Sequence, residues 1–161
     1  MNRAHHEDID QVLALYRACA LHGELNADAG DGPSYEAAEH DLDLNGLYVA
    51  RQSGEIVAAV SLLEAARPEG APDARACVLA RLCVHPKCQR QGLGRSVMTA
   101  ALSWARRRGY TRMNLMSRAD DAVMLGLCHK VGFRNLGIRR PYGHAFVQLE
   151  HPLWKGRPHE F

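Results

Sequence analysis

Between Leu79 and Tyr110 the chain reads LARLCVHPKCQRQGLGRSVMTAALSWARRRGY, an apolar strand that stops at His85-Pro86, a glycine-rich turn, and a helix. This order is the most constraining feature of the sequence. Val97, Ala101, Trp104 and Ala105 fall on one helical face, and Arg106, Arg107, Arg108 and Gly109 supply the cations and the glycine that a helix C-terminus favours. At the other end, backbone N–H groups of the turn and the first helical residues converge, and the helix dipole adds partial positive charge, so an anion can be held without any cationic side chain. A Cβ at Gly92 or Gly94 is expected to obstruct such a ligand or to forbid the backbone angles of the turn. Arg90 and Arg95 place charge nearby.

Two familiar phosphate-binding motifs are excluded. A Walker loop needs Gly-Lys-Ser/Thr after its glycine-rich run, and Lys87 precedes the glycines. The dinucleotide fingerprint needs a third glycine where Val97 stands, and no carboxylate appears before Asp120.

The rest of the chain supports one globular domain over residues 1–161: apolar residues make up 47% and charged residues 24%. Apolar periodicity predicts helices over residues 8–21, 34–44, 93–108 and 123–131. Strands are expected at 47–51, 56–63, 77–84, 113–116, 133–139 and 145–150. The first two strands form a hairpin through Gln52, Ser53, Gly54 and Glu55. The order predicts a mixed α/β domain with helices flanking one sheet. No apolar run approaches the ~18 residues of a membrane span, and MNRAHHEDID lacks the apolar stretch of a secretion signal, so a cytoplasmic protein without membrane contact is expected. Five scattered cysteines fit a reducing compartment, and Cys83, His85 and Cys88 lack the second ligand pair of a zinc site, so no metal is expected.

Gln89-Arg90-Gln91-Gly92-Leu93-Gly94, following the strand end Leu82-Cys83-Val84, resembles the coenzyme A signature of the Gcn5-related N-acetyltransferase (GNAT) superfamily. The similarity extends through the strand at 112–117 to Leu127–Phe133, LCHKVGF, which looks like the family's Leu-Tyr-x-Lys-x-Gly-Phe block. The resemblance implies a largely antiparallel central sheet with one splayed parallel strand pair, and acetyl-CoA as co-substrate. It implies transfer of the acetyl group to a primary amine by direct attack in a ternary complex. Carried over by position, Leu82, Cys83 and Val84 would meet pantetheine and acetyl, and Gln89, Arg90, Gln91, Gly92, Leu93, Gly94 and Arg95 would wrap the pyrophosphate. Asp121 stands where relatives carry a cofactor-contacting asparagine. The Val84 amide is the expected oxyanion donor. Cys128 occupies the position of the family's proton-donating tyrosine, so the general acid is left between Cys128 and Tyr142. Glu64, at a strand end, is the expected general base.

Between Arg17 and Arg51 there is no Lys or Arg, while Glu24, Asp28, Asp31, Glu36, Glu39, Asp41 and Asp43 all fall there. The family places the acceptor pocket in this region, which implies a cationic small molecule or peptide amine. Without the tyrosine, the alternative is a catalytically weak coenzyme A-binding regulatory module. The basic run around Arg106 lacks the interleaved aromatics of a nucleic-acid surface. The terminal strand pair could exchange or pair between two copies of the chain as a homodimer.

Overall fold

The computed structural model describes residues 1–21, 34–66, 75–140 and 143–153. Its elements are β1 (Asn2–Arg3), α1 (Ile9–Leu21), α2 (Tyr35–Asp43), β2 (Leu47–Gln52), β3 (Glu55–Glu64), β4 (Ala76–Val84), α3 (Leu93–Arg107), β5 (Arg112–Arg118), α4 (Ala122–Val131), β6 (Arg134–Arg139) and β7 (Phe146–Pro152). The strands form one sheet in the order β1-β2-β3-β4-β5-β7-β6. The β2–β3 hairpin closes as expected through Ser53 (φ 51°) and Gly54 (φ 80°), the doubly left-handed turn whose twist matches paired strands. Short β1, beside β2, was not expected from the sequence.

Each face of the sheet is covered by a helix pair. Val97, Met98, Ala101, Leu102, Trp104 and Ala105 of α3, with Cys128 of α4, pack on one face. Val12, Leu13, Leu15, Tyr16 and Cys19 of α1, with Ala38 and Leu42 of α2, pack on the other. Trp104 donates its indole N–H to the Tyr48 hydroxyl at 2.7 Å, satisfying the buried polar edge of the α3 side.

Among the described residues, only β4 and β5 pair in parallel, from Ala76↔Arg112 to Leu79↔Leu115. The two strands then stop pairing with each other, although β4 continues to Val84 and β5 to Arg118. The departure begins at a bulge. Ser61 faces Ala80 and Ala59 faces Cys83, so Arg81 and Leu82 together oppose Val60. Arg81 has φ 51°, a left-handed conformation that costs an L residue ~1–2 kcal/mol. Its guanidinium forks onto Asp41 of α2, with Nε to Oδ2 at 2.8 Å and Nη2 to Oδ1 at 2.7 Å. Ser61 Oγ also donates to that carboxylate, which is fully buried.

A second carboxylate, Asp8, is 5% exposed, accepts from the His5 amide at 2.8 Å, and meets Arg51 at 2.6 Å. Burial works against its charge, but the His5 amide and the Arg51 guanidinium outweigh burial and hold the carboxyl below the ordinary range. A depressed folded value contributes stability that is complete above the unfolded value and lost as pH falls through the folded one. Asp8→Asn is therefore expected to cost about 1–3 kcal/mol near neutrality. In chemical denaturation the gap from the parent should close as pH drops below the ordinary aspartate range.

Candidate functional site

The open end of β4 leads through a short 3-10 turn, Pro86–Cys88, into the glycine-rich loop and α3. Arg90 (φ 62°) and Gly92 (φ 74°) are both left-handed, and Gly92 is the N-cap of α3. Alternation of left- and right-handed residues gathers successive N–H groups into an anion-binding concavity. The Gly92 carbonyl accepts from the Ser96 amide and the Ser96 hydroxyl, each at 3.0 Å, which fixes the first turn. Among the described residues, the amides of Gln91, Gly92, Leu93, Gly94 and Arg95 have no acceptor. Five successive backbone donors are thus left without a protein acceptor where the loop enters α3.

The two glycines differ in what they supply. A Cβ at Gly92 would meet nothing within 4 Å, so its requirement is the left-handed φ. Gly94 lies inside α3, and its Cβ would make ordinary contacts with Leu127 at 3.4 Å and Val84 at 3.7 Å. In the free protein, then, alanine at Gly94 is neither blocked nor strained. Gly94→Ala is expected to raise stability by about 0.4–1 kcal/mol by restricting the unfolded chain, which a thermal melt of the ligand-free protein would read.

Two side chains tie the loop and α1 to the end of β4. Gln89 Nε2 donates to the Val84 carbonyl at 3.2 Å, and Cys19 Sγ donates to the same oxygen at 3.3 Å. The next amide, His85, bonds back to the Val57 carbonyl of β3 at 2.7 Å. Backbone N–H groups alternate in direction along a strand, so the Val84 amide is turned the other way, toward the side where β5 no longer pairs. By the same alternation the Leu82 amide points there too. Their side chains leave this gap: Leu82 packs with α3 and α4, and Cys83 packs under α1 and α2. Burial first, then Cys19, pushes the Cys83 thiol upward, so it stays neutral. His85 caps the 3-10 turn, its Nδ1 accepting from the Lys87 amide at 3.1 Å.

The acid–base expectations fare differently. Glu64 pairs in register with Cys77, whereas Val84 pairs with Ala58 at the other end of β4. Seven residues of strand at ~3.3 Å each separate the two ends by about 20 Å, so Glu64, the expected base, does not lie beside the Val84 amide. Glu64 instead meets Arg75 at 3.5 Å. Glu64→Gln is expected to leave the pH–rate profile of any acetyl transfer unchanged. Cys128, expected as one candidate acid, is fully buried in the α3–α4 core. Burial, with the charge of Asp121, pushes its thiol up to about 12, and packing accounts for the residue. Asp121 caps α4, accepting from the Met124 amide at 3.0 Å. Tyr142 lies outside the described residues.

The acidic stretch is only partly a surface. Glu36 and Asp43 are exposed and Glu39 half-buried on α2, but Asp41 faces inward and is neutralised by Arg81. The sequence offered no sign of that, nor of the Arg81 bulge or the Cys19 contact. Among the described residues no three metal-binding side chains cluster, and no helix is long and apolar enough to cross a membrane.

Residues 9–133 match the model of the Acetyltransferase (GNAT) family. The chain belongs to that family. Its similarity to the [ribosomal protein bS18]-alanine N-acetyltransferase of Escherichia coli (strain K12) is 36% identity over 64 residues, which is 40% of this chain and 43% of that protein. The aligned part is thus less than half of that relative. Among solved structures, the ribosomal-protein-S18-alanine N-acetyltransferase from Escherichia coli superposes with a TM-score of 0.76 at 21% identity, covering 99% of this chain and 97% of the other. The yncA protein of Salmonella typhimurium, a putative acetyltransferase solved with acetyl-CoA, gives a TM-score of 0.77 at 19% identity, covering 96% of this chain and 94% of the other. At these identities the likeness to the two solved structures is one of fold.

Proposed function

We propose that this GNAT protein transfers the acetyl group of acetyl-CoA to a cationic amine by direct attack in a ternary complex. The observation that carries the reading is the run of acceptor-free amides from Gln91 to Arg95, continuous with Leu82 and Val84 amides turned toward the unpaired side of β4. The loop amides suit a pyrophosphate, with Arg90 and Arg95 adding charge and Gln89 holding the loop to the strand. Leu82 and Val84 would offer main-chain amides to the pantetheine arm, whereas the Cys83 main chain faces β3 opposite Ala59, and the Val84 amide would serve as the oxyanion donor.

In the reaction a neutral amine nitrogen forms a bond to the thioester carbon, the carbonyl oxygen takes negative charge, and the C–S bond breaks to release a thiolate that takes up a proton. A backbone amide already aimed at the developing charge needs no reorganisation. The exposed Glu36 and Asp43 favour a cationic acceptor. A peptide amine comes first among acceptors, because the curated relative is named for an alanine N-acetyltransferase of a ribosomal protein.

Calorimetric titration with acetyl-CoA, followed by thiol release with a panel of amines, tests the reading. Saturable binding and a higher kcat/KM for polyamines or alanine-first peptides than for anionic amines are expected. A preference for anionic acceptors would contradict the electrostatic argument. The burial of Cys128 favours a second reading, a regulatory module that binds coenzyme A, and that reading predicts binding with no turnover of any amine.

A further inference from the structure

We propose that Asp41 is a positioning residue for acetyl transfer, holding the β4 bulge through Arg81 and so aiming the Leu82 and Val84 amides into the gap beside β5. The inference deepens the acetyltransferase reading and rests on it for its kinetic arm alone.

Strand phase decides which way the amides of β4 point. Side chains and backbone N–H groups both alternate with a period of two, so adding or removing one residue inverts everything downstream. The bulge adds one: Arg81 and Leu82 stand opposite the single residue Val60. With it, the His85 amide meets β3 and the Val84 amide faces away from β3. Without it, the Val84 amide would turn into the β3 ladder and the Leu82 side chain would leave the α3–α4 core. The added residue therefore decides whether β4 presents free donors to the gap.

Nothing in the local sequence asks for that bulge. Its left-handed position is held by arginine, not by glycine, asparagine or aspartate, so local preference opposes the conformation. The opposing force is tertiary. Arg81 forks onto Asp41 through two bonds of 2.8 and 2.7 Å, which sets orientation as well as distance. The same carboxylate accepts from Ser61 on β3, the residue paired with Ala80 immediately before the bulge. Asp41 thus grips both strands at the point where their register shifts. It also belongs to the helix that carries the exposed Glu36 and Asp43, so that helix and β4 are joined by one side-chain pair.

The test uses Arg81→Lys, which keeps the cation but cannot form the fork. Asp41→Asn/Arg81→Gly serves as a second variant, because it removes both charges and gives the bulge a residue that accepts a left-handed φ. Amide NMR spectra of the ligand-free protein and steady-state kinetics are recorded where circular dichroism shows each variant folded. In Arg81→Lys the Leu82 and Val84 amide signals should shift or broaden while those of Gln91 to Arg95 stay in place. The kcat should fall about tenfold or more with the KM for acetyl-CoA changed less than about threefold. The double variant should retain the bulge and recover part of kcat. Unmoved Leu82 and Val84 signals, or a kcat loss equal to the loss of folded protein, would overturn the proposal. If the parent protein turns over no amine, the spectra still decide it.

Discussion

Replacing Gly92 with valine is expected to weaken acetyl-CoA binding by about a hundredfold or more while the protein remains folded. Gly92 has φ 74° with open space around its missing Cβ, so the substitution acts through the backbone and not through a clash. A β-branched residue resists this conformation, and relaxing it rotates the flanking peptide planes at the N-terminus of α3. Two misdirected amides, at about 1.5–3 kcal/mol for each hydrogen bond to a charged group, account for a loss of at least about 3 kcal/mol, or two powers of ten. The cost to the ligand-free fold is the local strain alone, ~1–2 kcal/mol. Calorimetry on Gly92→Val beside Gly94→Ala separates the two glycines. Equal affinity for acetyl-CoA in Gly92→Val and the parent would remove the loop from the binding site.

The second large effect is on stability. Arg81→Met leaves the Asp41 carboxylate buried without its partner, and breaking a buried pair in this way typically costs about 3–5 kcal/mol. Neutralising both members in Asp41→Asn/Arg81→Met should recover a large part of that loss, because the unpaired charge is what the single change creates. Urea denaturation of the four proteins gives the coupling directly. A cost below about 1 kcal/mol for Arg81→Met would mean that the fork contributes no more than an exposed ion pair.

These two cases also mark what was legible in the sequence. Gly92 announced itself, because a glycine between a strand end and a helix start has a short list of uses, and the structure gives it the left-handed φ that such a turn needs. The β2–β3 hairpin, the apolar face of α3 and the glycine after α4 were readable for the same reason: local preference and tertiary structure agree there. Arg81 did not announce itself, since no sequence pattern marks an arginine held left-handed by a residue forty positions away. Asp41 was read as part of an acidic surface, but it shares its helical face with Ala38 and Leu42 and points inward. Glu64 lies far from Val84 for a different reason. Its position at a strand end was right, but register sends an antiparallel neighbour to the opposite end of β4. Cys128 shows the converse. A motif position fixes the place on α4, and only packing reveals that the side chain faces the core.

An amide NMR titration with acetyl-CoA tests most directly whether main-chain donors form the coenzyme site. The signals of Gln91, Gly92, Leu93, Gly94 and Arg95 should move together to saturation with one dissociation constant, and those of Leu82 and Val84 should move with them. Saturating acetyl-CoA that leaves these seven amides in place, or shifts only amides elsewhere in the sheet, would contradict it.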